Sequence, residues 1–599
     1  MPDRAIGDHG IIGNLNTAAL VARDGTVDFM CWPNLDSPTI FAALLDPDKG
    51  GEFTLAPELE GARKLQIYWP DTNVLLTRWL AQEGSAEVID LMPHPDVKDG
   101  IQDCLIRHVR ATRGRVRFRL CCRPRFDYAR RVPTVKAVED GVTFAAKGAP
   151  TLYLGGCVPV VAGKGEATAE FTLEAGEEVY FALRDAESKA PDREDLKASI
   201  AVTVQAWRHW ARRSTYKGRW REAVTRSALA LKLLTSHKHG SIAAAATFGL
   251  PEASGAARNW DYRATWIRDA SFTVYAFMRL GYFEEAERFS KWAGARAGEA
   301  EDEGVLRIMY AVDGSDAQDE TELKHLAGYG GARPVRIGNA AHSQSQLDIY
   351  GELLDSVYLS NKYGNAISHQ GWAHIQGVVE QVRHHWKDAD EGIWEIRDEP
   401  REFLHSRLMS WVAIDRAIRL ARKRSLPGPL VLWARERDRI SADIWSNFRH
   451  PEHGYFVQTK GGTALDASLL MMPLVRFVSA TDPVWLATLD AIRDELTDDG
   501  LVFRYRNDDG LEGGEGAFTT CTFWYIECLA RAGRLDEAQL LMEKALGYSN
   551  HLGLFSEELS VVGEPLGNFP QALTHLALIS AAYFLDRRLS NTGRSEWQP

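Results

Sequence analysis

What the chain lacks narrows its chemistry. Nowhere among its 599 residues do eighteen apolar residues run together, so a membrane-spanning helix is not expected. The opening Met1-Pro-Asp-Arg-Ala-Ile-Gly-Asp-His-Gly10 carries charges where a secretory leader would be apolar, so we expect a cytoplasmic protein. No Lys/Arg stripe offsets a net charge of -12, which argues against a nucleic-acid partner. Seven cysteines form an odd set without paired C-x-x-C spacing, so they read as buried thiols rather than a disulfide framework or a zinc site. H-E-x-x-H, G-x-S-x-G, P-loop and strand-linked G-x-G-x-x-G patterns are all missing, and the run Gly510, Gly513, Gly514, Gly516 reads as a turn that cradles no phosphate. No cofactor and no metal are expected. No low-complexity tract occurs, and disorder is expected only in the last ten residues.

What is present describes a globular chain with room for several domains: 45% hydrophobic and 25% charged residues. Eighteen Trp and eighteen Tyr offer flat amphipathic faces of the kind sugar rings stack on. Up to about residue 190 short segments alternate with the strand period. Val116, Phe118 and Leu120 interleave with Arg115, Arg117 and Arg119; Phe171, Leu173, Val179 and Phe181 flank an Ala175-Gly176 turn; Asp24-Gly25 separates two apolar runs as a hairpin would. Residues 1–190 are therefore expected to form an antiparallel β-sandwich. Residues 191–215, opening on Pro191-Asp-Arg-Glu-Asp195, form a linker that becomes a helix, and 216–590 are helical. Amphipathic stretches at 219–236, 344–359, 404–423, 484–496 and 571–586 bring the count near twelve helices. Arg279-x-Gly281-x-x-x-Glu285-Ala286 recurs as Arg531-x-Gly533-x-x-x-Glu537-Ala538, each a helix end at Gly followed by a new helix. A closed ring of helix pairs accommodates this pattern, with functional residues on the connections at one end.

Two carboxylates stand in unusual surroundings: Glu395 in Gly392-Ile-Trp-Glu-Ile-Arg397, and Glu557 in Gly553-Leu-Phe-Ser-Glu-Glu558. Cleaving an acetal between sugars needs one carboxylic acid to protonate the leaving oxygen and one carboxylate to activate water or attack the anomeric carbon. Trp394 can face a sugar ring and desolvate Glu395, which raises a carboxyl pKa toward that of a general acid. Asp388, Asp390, Glu391, Asp398 and Glu399 would discourage ionisation of Glu395 if they point inward. Ser556 and Glu558 would favour an ionised Glu557 only if the Glu558 charge is held away. A third segment, Arg258-Asn-Trp-Asp-Tyr-Arg263 followed by Trp266-Ile-Arg268-Asp269, packs more Arg, Asp and aromatic residues into twelve positions than capping a helix at Asp269 requires. Its donors and acceptors suit the hydroxyls of one glucose unit.

Asn259-Trp-Asp-Tyr262 with Trp266-Ile-Arg-Asp269, the Trp394-Glu395 pair, Arg504-Tyr505, Gly513-Gly-Glu-Gly516, and Ser556-Glu557 with Leu566-Gly-Asn-Phe-Pro-Gln571 together resemble, in order, the motifs of family 15 glycoside hydrolases, the glucoamylase-like enzymes. The resemblance covers nearly the whole chain. It implies an (α/α)6 barrel after the N-terminal sandwich, inversion with Glu395 as general acid and Glu557 as general base, and a subsite for the non-reducing glucose lined by Tyr262, Arg268 and Asp269. Trp266 and Trp394 belong to the same substrate-binding set, and Arg504 is implied to reach toward the scissile bond. Ile6-Gly-Asp-His-Gly-Ile-Ile-Gly13 and Asp24-Gly-Thr-Val-Asp28 are similar to the N-terminal domain of bacterial members, a domain also associated with their trehalases. Ala264-Thr265 stand where bacterial relatives commonly carry a larger residue, which implies a different pocket size. With little chain after the final helix and no secretion signal, soluble oligosaccharides are expected rather than granular starch.

The expected activity is thus release of β-glucose from non-reducing ends of soluble α-1,4/α-1,6-gluco-oligosaccharides. The alternative is an α,α-trehalase, which uses the same two carboxyl groups. A disaccharide phosphorylase would use phosphate as nucleophile and have no need of Glu557, and an inactive sugar-binding protein would bind without turnover. Linkage, chain length and oligomeric state leave no readable mark in the sequence.

Overall fold

The computed structural model describes residues 4–96, 103–188, 192–303, 306–363, 367–507 and 514–590. Pro191, Gly510, Gly513 and the tail after residue 590, on which part of the reading above falls, lie outside the described residues.

Two antiparallel sheets of eight strands each make the N-terminal sandwich. The strand period is plain in Val116–Arg123, where Val116, Phe118, Leu120 and Cys122 are buried while Arg117 and Arg119 are exposed. Asp24-Gly25 does turn the chain between Ala18–Ala22 and Thr26–Cys31. Gly25 has φ +82, and a Cβ there would sit 2.6 Å from the Leu55 carbonyl oxygen, so the position takes no side chain. The Ala175-Gly176 turn joins strands of different sheets: Ala167–Leu173 belongs to the first and Glu178–Asp185 to the second. Phe171 and Phe181 meet between the sheets at 5.6 Å.

Alternation fails in the first three strands, His9–Gly13, Ala18–Ala22 and Thr26–Cys31, which are buried on both faces. The helical half covers their outer side. Phe29 packs on Phe248, and Asn550 Nδ2 donates to the His9 carbonyl. One buried guanidinium ties the two sheets: Arg107, on a second-sheet strand, pairs with Asp90 at 2.8 Å and donates to the carbonyls of Phe53 and Gly25 in the first.

Helix α1, Arg193–Arg212, begins with a capping box in which Asp192 and Asp195 each accept the other's backbone N–H. Twelve helical segments follow among the described residues: α2 Arg221–Leu233, α3 Ile267–Leu280, α4 Phe283–Glu303, α5 Asp348–Tyr363, α6 His369–His385, α7 Leu404–Arg424, α8 Leu430–Asn447, the short α9 Met471–Leu474 with its preceding 3-10 turn, α10 Pro483–Leu496, α11 Thr519–Ala532, α12 Leu535–Leu546 and α13 Ala572–Ser590. The odd-numbered helices from α3 to α13 pack neighbour to neighbour, and α13 returns to α3, closing an inner ring. The even-numbered ones lie outside it. This is an (α/α)6 barrel. Burial follows position: α7 and α11 are buried almost all round, whereas α10 buries only Trp485, Thr488, Leu489, Ile492 and Leu496. The repeated Arg-x-Gly motif marks two inner-to-outer reversals. Gly281 and Gly533 take left-handed φ of 88° and 86°, ending α3 and α11 just before α4 and α12 start.

Replacing Arg107 by Met should cost about 3–5 kcal/mol, because it strands the buried Asp90 carboxylate and frees two carbonyls; equilibrium denaturation of the variant beside the parent measures it.

Candidate active site

The connections that lead from an outer helix into the next inner one gather at a single end of the barrel, where the N-termini of the inner helices favour negative charge. Two adjoining cavities, about 400 Å³ and about 440 Å³ with their open mouths, lie among them. Tyr262, Trp394, Glu395 and Arg504 line both. Trp266, Arg268 and Asp269 line the second, so all six candidate substrate contacts from the sequence border the cavities.

Glu395 is held at φ +58, a left-handed backbone that a side chain seldom adopts. Its Oε1 accepts Trp266 Nε1–H at 2.6 Å and Arg268 at 3.3 Å. Trp394 instead donates Nε1–H to Asp466 at 2.9 Å and sets its ring against Phe518 and Trp524. The acidic neighbours in sequence do not face Glu395. Asp390 is taken by Leu347 N–H and Ser406, Glu391 by Ser345 N–H, Asp388 by His385 and Asp398 by Arg401, while Glu399 is exposed. The charges that do surround it come through Arg268, which also reaches Asp269 and Asp348 at 3.4 and 3.6 Å. Burial pushes the Asp269 carboxyl up to about 6 against the pull of Arg268.

Glu557 is fully buried and lines neither cavity, with its Oε2 accepting Asn568 N–H at 3.1 Å. Gly567 permits this approach: it has φ +69, and a Cβ would lie 2.6 Å from that Oε2. Burial first, then the Glu252 charge, pushes Glu557 up to about 8, while Arg504, Asn568 and Tyr262 pull it back. Glu558 is indeed held away, its Oε2 on Gly516 N–H at 2.7 Å and its Oε1 3.2 Å from Arg504. Glu252, distant in sequence, takes its place as the opposing charge. Glu252, Glu515 and Glu558 all converge on Arg504, with Arg258 adding a second cation 3.2 Å from Glu515.

Part of the Arg/Asp-rich segment serves the scaffold. Asp261 and Arg263 bind each other, and Arg263 reaches into the sandwich to Cys31 Sγ and the Ser37 carbonyl. Trp260 stacks against Arg397 and Arg336 at the rim of the first cavity. Ala264 and Thr265 line neither cavity. Sequence reasoning missed Glu252, Asp348 and Asp466; each is a lone acid in ordinary surroundings whose partners lie far along the chain.

Residues 218–583 match the profile of Glycosyl hydrolases family 15, and residues 3–206 that of Trehalase-like, N-terminal. The chain is 38% identical to a trehalase of Mycolicibacterium smegmatis over 98% of its own length and 92% of the relative's. It is 36% identical to a trehalase of Thermoplasma acidophilum over 94% and 97%. A crystal structure of a bacterial glucoamylase complexed with acarbose superposes with a TM-score of 0.72 at 13% identity, covering 98% of this chain and 95% of that one; at that identity the likeness is one of fold. No described helix is long and apolar enough to cross a membrane.

Replacing Gly567 by Ala should destabilise the protein by about 1–3 kcal/mol through the left-handed backbone and the contact with Glu557. Thermal melting and turnover measured together should fall in step.

Proposed function

The chain belongs to glycosyl hydrolases family 15 and is a glycosidase, and on that premise we propose that its substrate is α,α-trehalose. The observation that carries this is the set of trehalases, 35–38% identical, from Mycolicibacterium, Mycobacterium, Thermoplasma and Sulfolobus, matched over nine-tenths or more of each relative. The N-terminal match points the same way. Release of glucose from α-1,4 or α-1,6 oligosaccharides, the first expectation from sequence, gives way to this alternative. Two small cavities meeting at Glu395 suit a disaccharide with one ring in each.

In the mechanism we propose, Glu395 protonates the bridging oxygen and Glu557 removes a proton from water attacking the anomeric carbon from the opposite face. With Trp266 and Arg268 both on Oε1, the proton to be delivered sits on Oε2. The attacked glucose leaves as the β-anomer and the departing one as the α-anomer. Tyr262, Arg268 and Asp269 grip the ring that is attacked, with Trp266 and Trp394 as its walls, and Arg504 bears on the far ring. Glu557 must be ionised to act, and its carboxyl is raised to about 8. Activity therefore grows as the pH rises toward that value.

Proton NMR of the protein with trehalose, maltose, isomaltose and maltotriose tests the reading: trehalose should be consumed first, giving α- and β-glucose in equal initial amounts. Faster loss of maltose with β-glucose first would replace trehalase by an exo-glucosidase. Glu557→Gln should lose at least about 10² in rate; full activity would move the base to Glu558. Glu252→Gln removes a like charge from beside Glu557, so the acid limb of kcat/KM should move to lower pH, and an unmoved limb would mean that another group sets it.

A further inference from the structure

Beyond the catalytic loops the barrel axis opens into another cavity, lined from α3, α5, α9, α11 and α13 and sharing no side chain with the two described above. Its water-accessible core is about 60 Å³, room for a few waters or one small ion. It reaches Arg279, eleven residues along α3 from Arg268, or about 16 Å at the helical rise.

Almost every polar group lining it is already engaged. Arg279 donates to Ser580, Ser580 to Glu527, and Arg531 to Glu527. Tyr275 accepts from Arg279, Asp355 from Arg416, and the hydroxyls of Ser271 and Ser356 return to their own helices. Glu352 is the exception. It is 2% exposed, it lines the cavity, and its Oε1 has no hydrogen-bond partner. A buried carboxyl oxygen without a partner is costly and marks a place where a donor belongs.

The surrounding charge selects the donor. Asp348, Glu352 and Asp355 fall at i, i+4 and i+7 on one face of α5. Burial, then Asp348 and Asp355, with Asp269 further off, disfavour the charged form of Glu352 against the pull of Arg268, while the nearer cations are engaged elsewhere, Arg416 on Asp355, Arg531 on Glu527 and Arg279 on Ser580. Beside Glu352 a cation is thereby favoured over an anion. Phe272 and Trp524, whose rings lie 6.3 Å apart, line the wall with Met471, Leu474 and Leu576, a surface that suits an alkyl group and the face of a cation.

We propose that this cavity binds a small organic ammonium ion, with an N–H donated to Glu352 and the alkyl part against Phe272 and Trp524. The ammonium keeps its charge and Glu352 gives its proton to solvent, so one cation enters as one proton leaves. The site takes no part in the reaction and does not depend on which glucoside is cleaved.

Calorimetric titration of the full chain with ethylammonium chloride, against sodium chloride at equal ionic strength and in two buffers of different ionisation heat, tests this. Saturable binding with release of close to one proton is expected, and glucose at saturating concentration should not displace it. Glu352→Gln should weaken binding at least about tenfold and abolish proton release. Ala577→Leu, which fills the cavity without changing charge, should also abolish binding and decides the matter if the first variant does not fold. Absence of saturable heat, equal affinity in a folded variant, or displacement by glucose would each overturn the proposal.

Discussion

Too few guanidinium groups for the carboxyl groups buried around them is the condition on which the cavity-bearing end of this barrel is built. Arg504 faces Glu252, Glu515 and Glu558, and Arg268 faces Asp269, Asp348 and Glu395. In a medium of low polarity one cation cannot hold three acids ionised, so the surplus shows as raised protonation of the groups served least. Glu557 and Asp269 are such groups. Burial is the larger cause of both shifts, and the local shortage of positive charge leaves it uncorrected.

The sandwich takes part in that arrangement although it supplies no lining residue of either cavity. Arg263 runs from the loop that carries Tyr262 into contact with Cys31 and the Ser37 carbonyl, and Phe248 packs between Phe29 and Tyr128. The loop is thus braced on one side by a β-sheet and on the other by the start of α3. This explains why a segment dense in Arg and Asp divides its residues between gripping the site and gripping the neighbouring domain.

Much of this was legible in the chain. Val116–Arg123 alternates because one face is wet, and the helices of the barrel show their period because most have a single buried face. His9–Cys31 hid its strand period since both faces are covered, a tertiary effect that no local pattern reports. In the site, Trp394-Glu395 and the Tyr262–Asp269 segment stood out by local density. Glu252 and Asp466 did not, because each acts on a partner supplied by folding: Glu252 on Arg504, 252 positions away, and Asp466 on Trp394, 72 positions away. The state of Glu557 was equally hidden, since the charge that matters is Glu252 and not the adjacent Glu558.

Closure of the inner ring by α13 against α3 bears on how the protein is made. A ribosome delivers the sandwich first and the barrel in order, so α3 emerges with its apolar flank waiting for a helix nearly three hundred residues downstream. Glu557 and the Gly567-Asn568 turn that seats it arrive immediately before that last helix. Until then the nascent barrel is an open arc with two unsealed edges. Closure of the ring and the seating of Glu557 are therefore completed by the same final stretch of synthesis, and a chain cut short before α13 would be left with the apolar flanks of α3 and α11 uncovered.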